Sequence, residues 1–280
     1  MQRVFLLLIS VFTLFAAIIW YRHIHAPVQE SITYFPIHPD LSFQSVGTEL
    51  KPEKNEHIHI RSFSRMEKPV FLRQDITMVF SEGRLVAKMG KWDQNVISLE
   101  QKQHVPIQEN TKLQALSFHH AEIHENSAIK STHTISTDYL YYLDRDETFK
   151  KPATETERIW QDLLDKEESR KITRALETIT ATYALNLDHF DIVPLTNLPR
   201  YEREPFPGFS SAETKVIIGQ LIEGLYKNYF LGIKKEDGTT VSPLDSTVPV
   251  ILIAKNREFL YVAFLTADGD AVLLKQNISD

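Results

Sequence analysis

Apolar and polar positions follow different periods in successive stretches of this chain, and each period marks a region. From Val4 to Tyr21 there is none. All 18 positions are free of formal charge, and only Ser10 and Thr13 are strongly polar. As a helix, such a run rises about 27 Å, close to the hydrocarbon thickness of a bilayer. Val4, Leu7, Phe12, Phe15 and Ile18 supply its apolar surface. Trp20 and Tyr21 stand at its far end, where amphipathic rings favour the headgroup layer. Residues 1–21 therefore read as a signal-anchor or transmembrane helix. A cleaved signal peptide fits less well, because cutting after Ala16, Ala17 or Ala26 puts Leu14, Phe15 or Ile24 at the −3 position, where a small residue belongs.

Residues 22–56 read as a stalk. Pro27, Pro36, Pro39 and Pro52 remove backbone donors, and Lys51, Glu53, Lys54 and Glu56 form a charged patch, so extended and poorly paired chain is expected.

The period becomes two from 57 to 143. His57–Phe63, Ile76–Phe80, Arg84–Met89, Val96–Leu99, Leu113–Ile123 and Ile129–Leu143 are strand candidates. Ser81–Glu82–Gly83 predicts a three-residue hairpin loop, and Glu125–Asn126–Ser127 another turn. The expected product is an antiparallel sheet with one solvated face.

After Pro152 the period is helical. Thr154 with Glu157, and Ser210 with Glu213, have capping-box spacing. The first helix carries Ile159, Trp160, Leu163 and Leu164, then Ile172, Leu176, Ile179 and Tyr183, either unbroken or with a break near Glu168. The second carries Ile218, Leu221, Ile222, Leu225 and Tyr229, with Gly232 as its terminator. Val248–Ala254, Phe259–Thr266 and Ala271–Lys275 complete a meander, with Asp268–Gly269 as its last turn. The expected fold class is α+β: an antiparallel β-rich N-terminal half (57–150), then a helical middle and a C-terminal β-meander, preceded by one N-terminal membrane-anchor helix. The middle and the meander together form residues 151–280, a unit of their own or one domain with 57–150.

Composition narrows the function. Of 280 residues 42% are hydrophobic and 24% charged, which is globular rather than disordered. The net charge of −6 gives no electrostatic reason to bind nucleic acid. The absence of cysteine removes disulfides, thiolate metal sites and cysteine nucleophiles. Arg3 and the α-amino group outweigh Arg22, which puts the N-terminus on the cytoplasmic side and the body outside.

Candidate chemistry is sparse. His120, Glu122 and His124 share one strand face and could form a zinc or iron shell, which His57 and His59 would join if the strands were neighbours. Against this, polar residues at a strand end need no metal to explain them. The segment from Tyr201 to Phe209 sets Tyr201, Phe206 and Phe209 among prolines, a rigid candidate for partner binding. The bland alternative tucks Phe206 and Phe209 under the loop. Zinc-protease, nucleophile-elbow and P-loop signatures all fail at a defining residue: Ala128, Ala212, and Leu85 with Trp92. The expected function is a membrane-anchored, extracytoplasmic, non-enzymatic binding, regulatory or envelope-assembly protein. Its partners would be the lipid bilayer, through the N-terminal helix, and a membrane or envelope protein, with no cofactor. The alternative is an anchored metal-dependent hydrolase using the His/Glu/His cluster, with a metal ion as its cofactor.

Overall fold

The computed structural model describes residues 28–29, 37–53, 56–125, 128–144, 147–235 and 239–278. The anchor run, the first part of the stalk and the Asn126–Ser127 turn lie outside the described residues.

The spine of the N-terminal half is one long strand, β3 (His57–Ser81). Its 25 residues far exceed an ordinary strand, and register shifts after Arg65, Val70 and Arg73 interrupt its pairing. β2 (Ser45–Glu53) and β5 (Asp93–Pro106) flank its first part, and β4 (Arg84–Met89) and β6 (Thr111–Glu125) its second. β7 (Ala128–Tyr142) pairs with β6 along its whole length, and β8 (Thr148–Phe149) with the end of β7. All these pairs are antiparallel. The sheet curls so that β2 meets β7: the Leu50 amide donates to Asp138 Oδ2 at 2.7 Å, and Thr48 and Ser136 share a hydroxyl hydrogen bond. The β3–β4 loop is tighter than expected, with two residues, because Glu82 (φ 50°) and Gly83 (φ 76°) both take left-handed backbone.

Residues 45–53, expected to be stalk, are instead a strand paired at nine positions with β3. Leu50 is in the core, and Pro52 is accommodated at the strand's end. Upstream, the His38 amide donates to Ser131 O at 2.9 Å, and Leu41 packs on Met66, Val70 and Leu72.

The helical region starts as the caps predict. α1 (Glu155–Tyr183) has both reciprocal hydrogen bonds of its capping box and is unbroken at Glu168. Glu168 is tolerated in mid-helix because its carboxylate accepts from Lys112 Nζ at 2.8 Å, and Asp165 takes the same ammonium. α2 (Ser211–Leu225) has the second capping box, continues through a π-helical turn (Tyr226–Phe230) and stops at Gly232, whose φ is +144°.

The C-terminal sheet has the order β1–β14–β13–β12–β9: β9 (Phe190–Pro194), β12 (Val250–Ala254), β13 (Phe259–Leu265) and β14 (Ala271–Asn277). The edge strand opposite β9 is β1 (Val28–Gln29), parallel to β14 with Val28 beside Leu274. A short hairpin, β10 (Ile233–Lys234) with β11 (Thr240–Val241), stands apart. The fold is thus α+β with antiparallel sheets.

The main core joins the two halves. α2 presents Ile217, Ile218, Leu221, Ile222 and Leu225 to a cluster containing Met78, Leu116 and Phe118 from the first sheet and Ile251, Val262 and Phe264 from the second. The opposite face of β6 is also buried, with Leu113 and Ala115 against Leu50, Ile58 and Leu140. The solvated face expected for this sheet is therefore absent at β6: the curl covers one side and α2 the other.

Candidate functional site

Alternation along β6 sends Leu116, Phe118, His120, Glu122 and His124 to one face. The apolar pair enters the core, and the polar trio follows toward the strand end. His120 Nε2–H donates to Glu122 Oε1 and His124 Nε2–H to Oε2, each at 2.9 Å. The Glu122 carboxylate is 2% exposed, whereas His124 is 55% exposed and lies against Phe71, which in turn neighbours Trp92. Two imidazoles thus satisfy a buried carboxylate, one from inside the protein and one from its surface.

Strand geometry sets how the two imidazoles reach the carboxylate. Positions i and i+4 lie about 13 Å apart on a strand, so the two rings reach the carboxylate from opposite ends. Among the described residues no group of three His, Asp or Glu side chains is arranged to hold a metal ion. Nor do His57 and His59 approach it. They pair with Pro106 and His104 on β5, a dozen residues along β3 from Phe71, the partner of Glu122.

His133, on β7 directly opposite His120, was not singled out from sequence. Its Nδ1 is shielded from water and has no hydrogen-bond partner among the described residues. Burial pushes its pKa down to about 3, and the charges of His120 and Lys215 act in the same direction. On the other face, His119 is held by Ser64 at Nδ1 (2.9 Å) and Ser136 at Nε2 (2.7 Å). Ser117 bonds both Thr48 and Thr77 beside it. Glu202 closes the free edge of β7, accepting from Thr134 Oγ1 at 2.7 Å and the Ile135 amide at 2.9 Å. Burial raises its pKa. The sequence signal for this network was the run of small hydroxyl residues on both faces of β7, which resembles a solvated strand until its neighbours are known.

The structure divides the three aromatic residues of the 201–209 loop. Phe206 is core, 1% exposed, with its amide donating to Thr214 Oγ1. Tyr201 packs against it at a tilt, with ring centroids 4.5 Å apart, and borders a cleft with Thr137, Ile192 and Pro194. Phe209 opens onto a separate cavity of about 890 Å³, floored by Val216, Ile217 and Ile278 and rimmed by Glu213, Gln220 and Arg257. Arg257 Nη1 donates to Gly208 O at 2.8 Å and fixes that rim. Comparison with models of known protein families, with curated proteins and with solved structures finds no match to this chain.

Proposed function

We propose that this chain is a single-span, membrane-anchored protein whose body lies outside the cytoplasm. There it acts by binding, as a regulatory or envelope-assembly component. The observation that carries the reading is the uncharged run Val4–Tyr21, flanked by Arg3 and Arg22 and ending in Trp20–Tyr21. Among the described residues no helix is long and apolar enough to cross a membrane, so residues 4–21 carry the span in this proposal. A binding role is supported by the Phe209 cavity and the Tyr201 cleft, which put two of the three proposed contact rings at accessible surfaces.

The test uses the cysteine-free background. A single Glu109→Cys substitution, at an exposed position, is labelled in intact cells with a membrane-impermeant maleimide. Labelling of full-length protein, followed by crosslinking to a membrane or envelope protein, is the expected result. Labelling only after lysis would overturn the topology. Labelling of a shortened chain would overturn the anchor. Catalysed turnover by the purified body would overturn the binding role.

A further inference from the structure

We propose that the end of the C-terminal sheet carrying the β10–β11 hairpin rests on the bilayer, with Leu231 and Leu244 in the headgroup layer. The inference depends on the anchor reading above and adds to it an orientation and a contact surface.

The chain length outside the structure supplies the first constraint. Seven residue steps separate Tyr21, at the end of the apolar run, from Val28, the first residue of β1. Fully extended, they span at most about 25 Å. The edge of the C-terminal sheet is therefore held within one short tether of the membrane.

The direction of β1 supplies the second. Because β1 runs parallel to β14, its N-terminal end points toward the start of β14 and the turn at 266–270. That turn is joined to the hairpin: Lys235 Nζ contacts Asp270 Oδ2 at 2.6 Å and Asp268 Oδ2 at 3.5 Å. The side from which the chain reaches the sheet is thus the side that carries β10 and β11.

Two leucines at this end suit a bilayer, and the neighbouring Asp268 and Asp270 share the Lys235 ammonium. Leu231 is 60% exposed and precedes β10, and Leu244 is 38% exposed and follows β11. Neither leucine is needed to hold its loop, which backbone bonds fix instead: the Leu231 amide donates to Tyr226 O and the Asp245 amide to Leu85 O. Two exposed apolar side chains on backbone fixed beneath them can enter the interface without rearrangement of the fold.

The test uses full-length protein reconstituted into vesicles of equimolar phosphatidylethanolamine and phosphatidylglycerol. Four single-cysteine variants, Leu231→Cys, Leu244→Cys, Phe12→Cys and Ile159→Cys, carry an environment-sensitive fluorophore. Part of the lipid carries a quencher, in one preparation at the headgroup end of the acyl chain and in another at its methyl end, which reaches position 12. Ile159 is 61% exposed and lies 24 residues along α1 from Tyr183, about 36 Å from it, while the Tyr183 hydroxyl donates to Ala271 O at the start of β14. The expected result is quenching and a blue shift at 231 and 244, strong quenching at 12 and none at 159. In a Leu231→Glu, Leu244→Glu double variant labelled at Thr240→Cys, quenching at 240 should be lost while a label at 12 remains quenched. Quenching at 12 with none at 231 and 244 would overturn the contact and leave the anchor standing. No quenching at 12 would overturn the anchor and this inference with it.

Discussion

A buried imidazole whose Nδ1 has no partner among the described residues makes His133 a source of acid sensitivity. Its folded pKa of about 3 lies below its ordinary value of 6.5. As pH falls from about 6.5 toward 3, the unfolded chain therefore binds a proton that the folded chain refuses. Stability is fully present above 6.5 and declines through that window, by at most about 1.4 kcal/mol per pH unit. Glu202 acts in the opposite sense, because its folded pKa is raised: its contribution is present at low pH and lost as pH rises through that value. The two act over overlapping ranges, so the informative quantity is the difference between variant and parent. His133→Gln should make the slope of unfolding free energy against pH shallower by about one proton, measured by urea titration at several pH values between 4 and 7. An unchanged slope would mean that His133 is hydrated in the folded protein.

At the scale of elements, capping and turn chemistry were legible because they are local. Thr154 with Glu157 and Ser210 with Glu213 determine where α1 and α2 begin, and both boxes form as their spacing requires. β2 was not legible. Its partner is β3, and Pro52 together with the charges at 51–56 gives the same stretch the composition of a linker. What makes it a strand is long-range: Leu50 enters the second core and Gly47 sits against Phe63, where a Cβ would come within 2.5 Å of the ring. The trio on β6 was legible as a shared face but not as a hydrogen-bonded ladder, because spacing alone does not say which side the rings approach from. In the 201–209 loop, three rings of similar composition proved to have different environments. Phe206→Ala should destabilise the protein by about 3–5 kcal/mol, the usual cost of truncating a core phenylalanine. Phe209→Ala, which removes a ring only partly buried against the main core, should cost clearly less stability than Phe206→Ala and weaken crosslinking to the proposed partner. Equal effects of the two substitutions on stability would make Phe209 a packing residue and remove it from the proposed site.

For the whole molecule, the shared core decides how the two halves behave. Sequence alone allowed residues 57–150 to stand separately from 151–280, since the period changes at Pro152 and each part has its own strands. The apolar face of β3 and β6, however, lies against α2, and α2 lies in turn against the C-terminal sheet. Without α2, Met78, Leu116 and Phe118 would face water, and so would Ile251, Val262 and Phe264. Leu221 is the informative residue, being 1% exposed at the centre of this helix. Leu221→Ala should cost about 2–5 kcal/mol, the range for a truncated buried leucine. The loss should appear equally in hydrogen exchange at amides of β6 and of β13, because both sheets open when the helix between them loosens. If β6 retained its protection while β13 exchanged, the halves would be separate folding units. β1 would then couple the proposed anchor to the C-terminal half alone. If both exchange together, any load that the proposed anchor places on β14 is borne by the same core that holds β6 and its histidines.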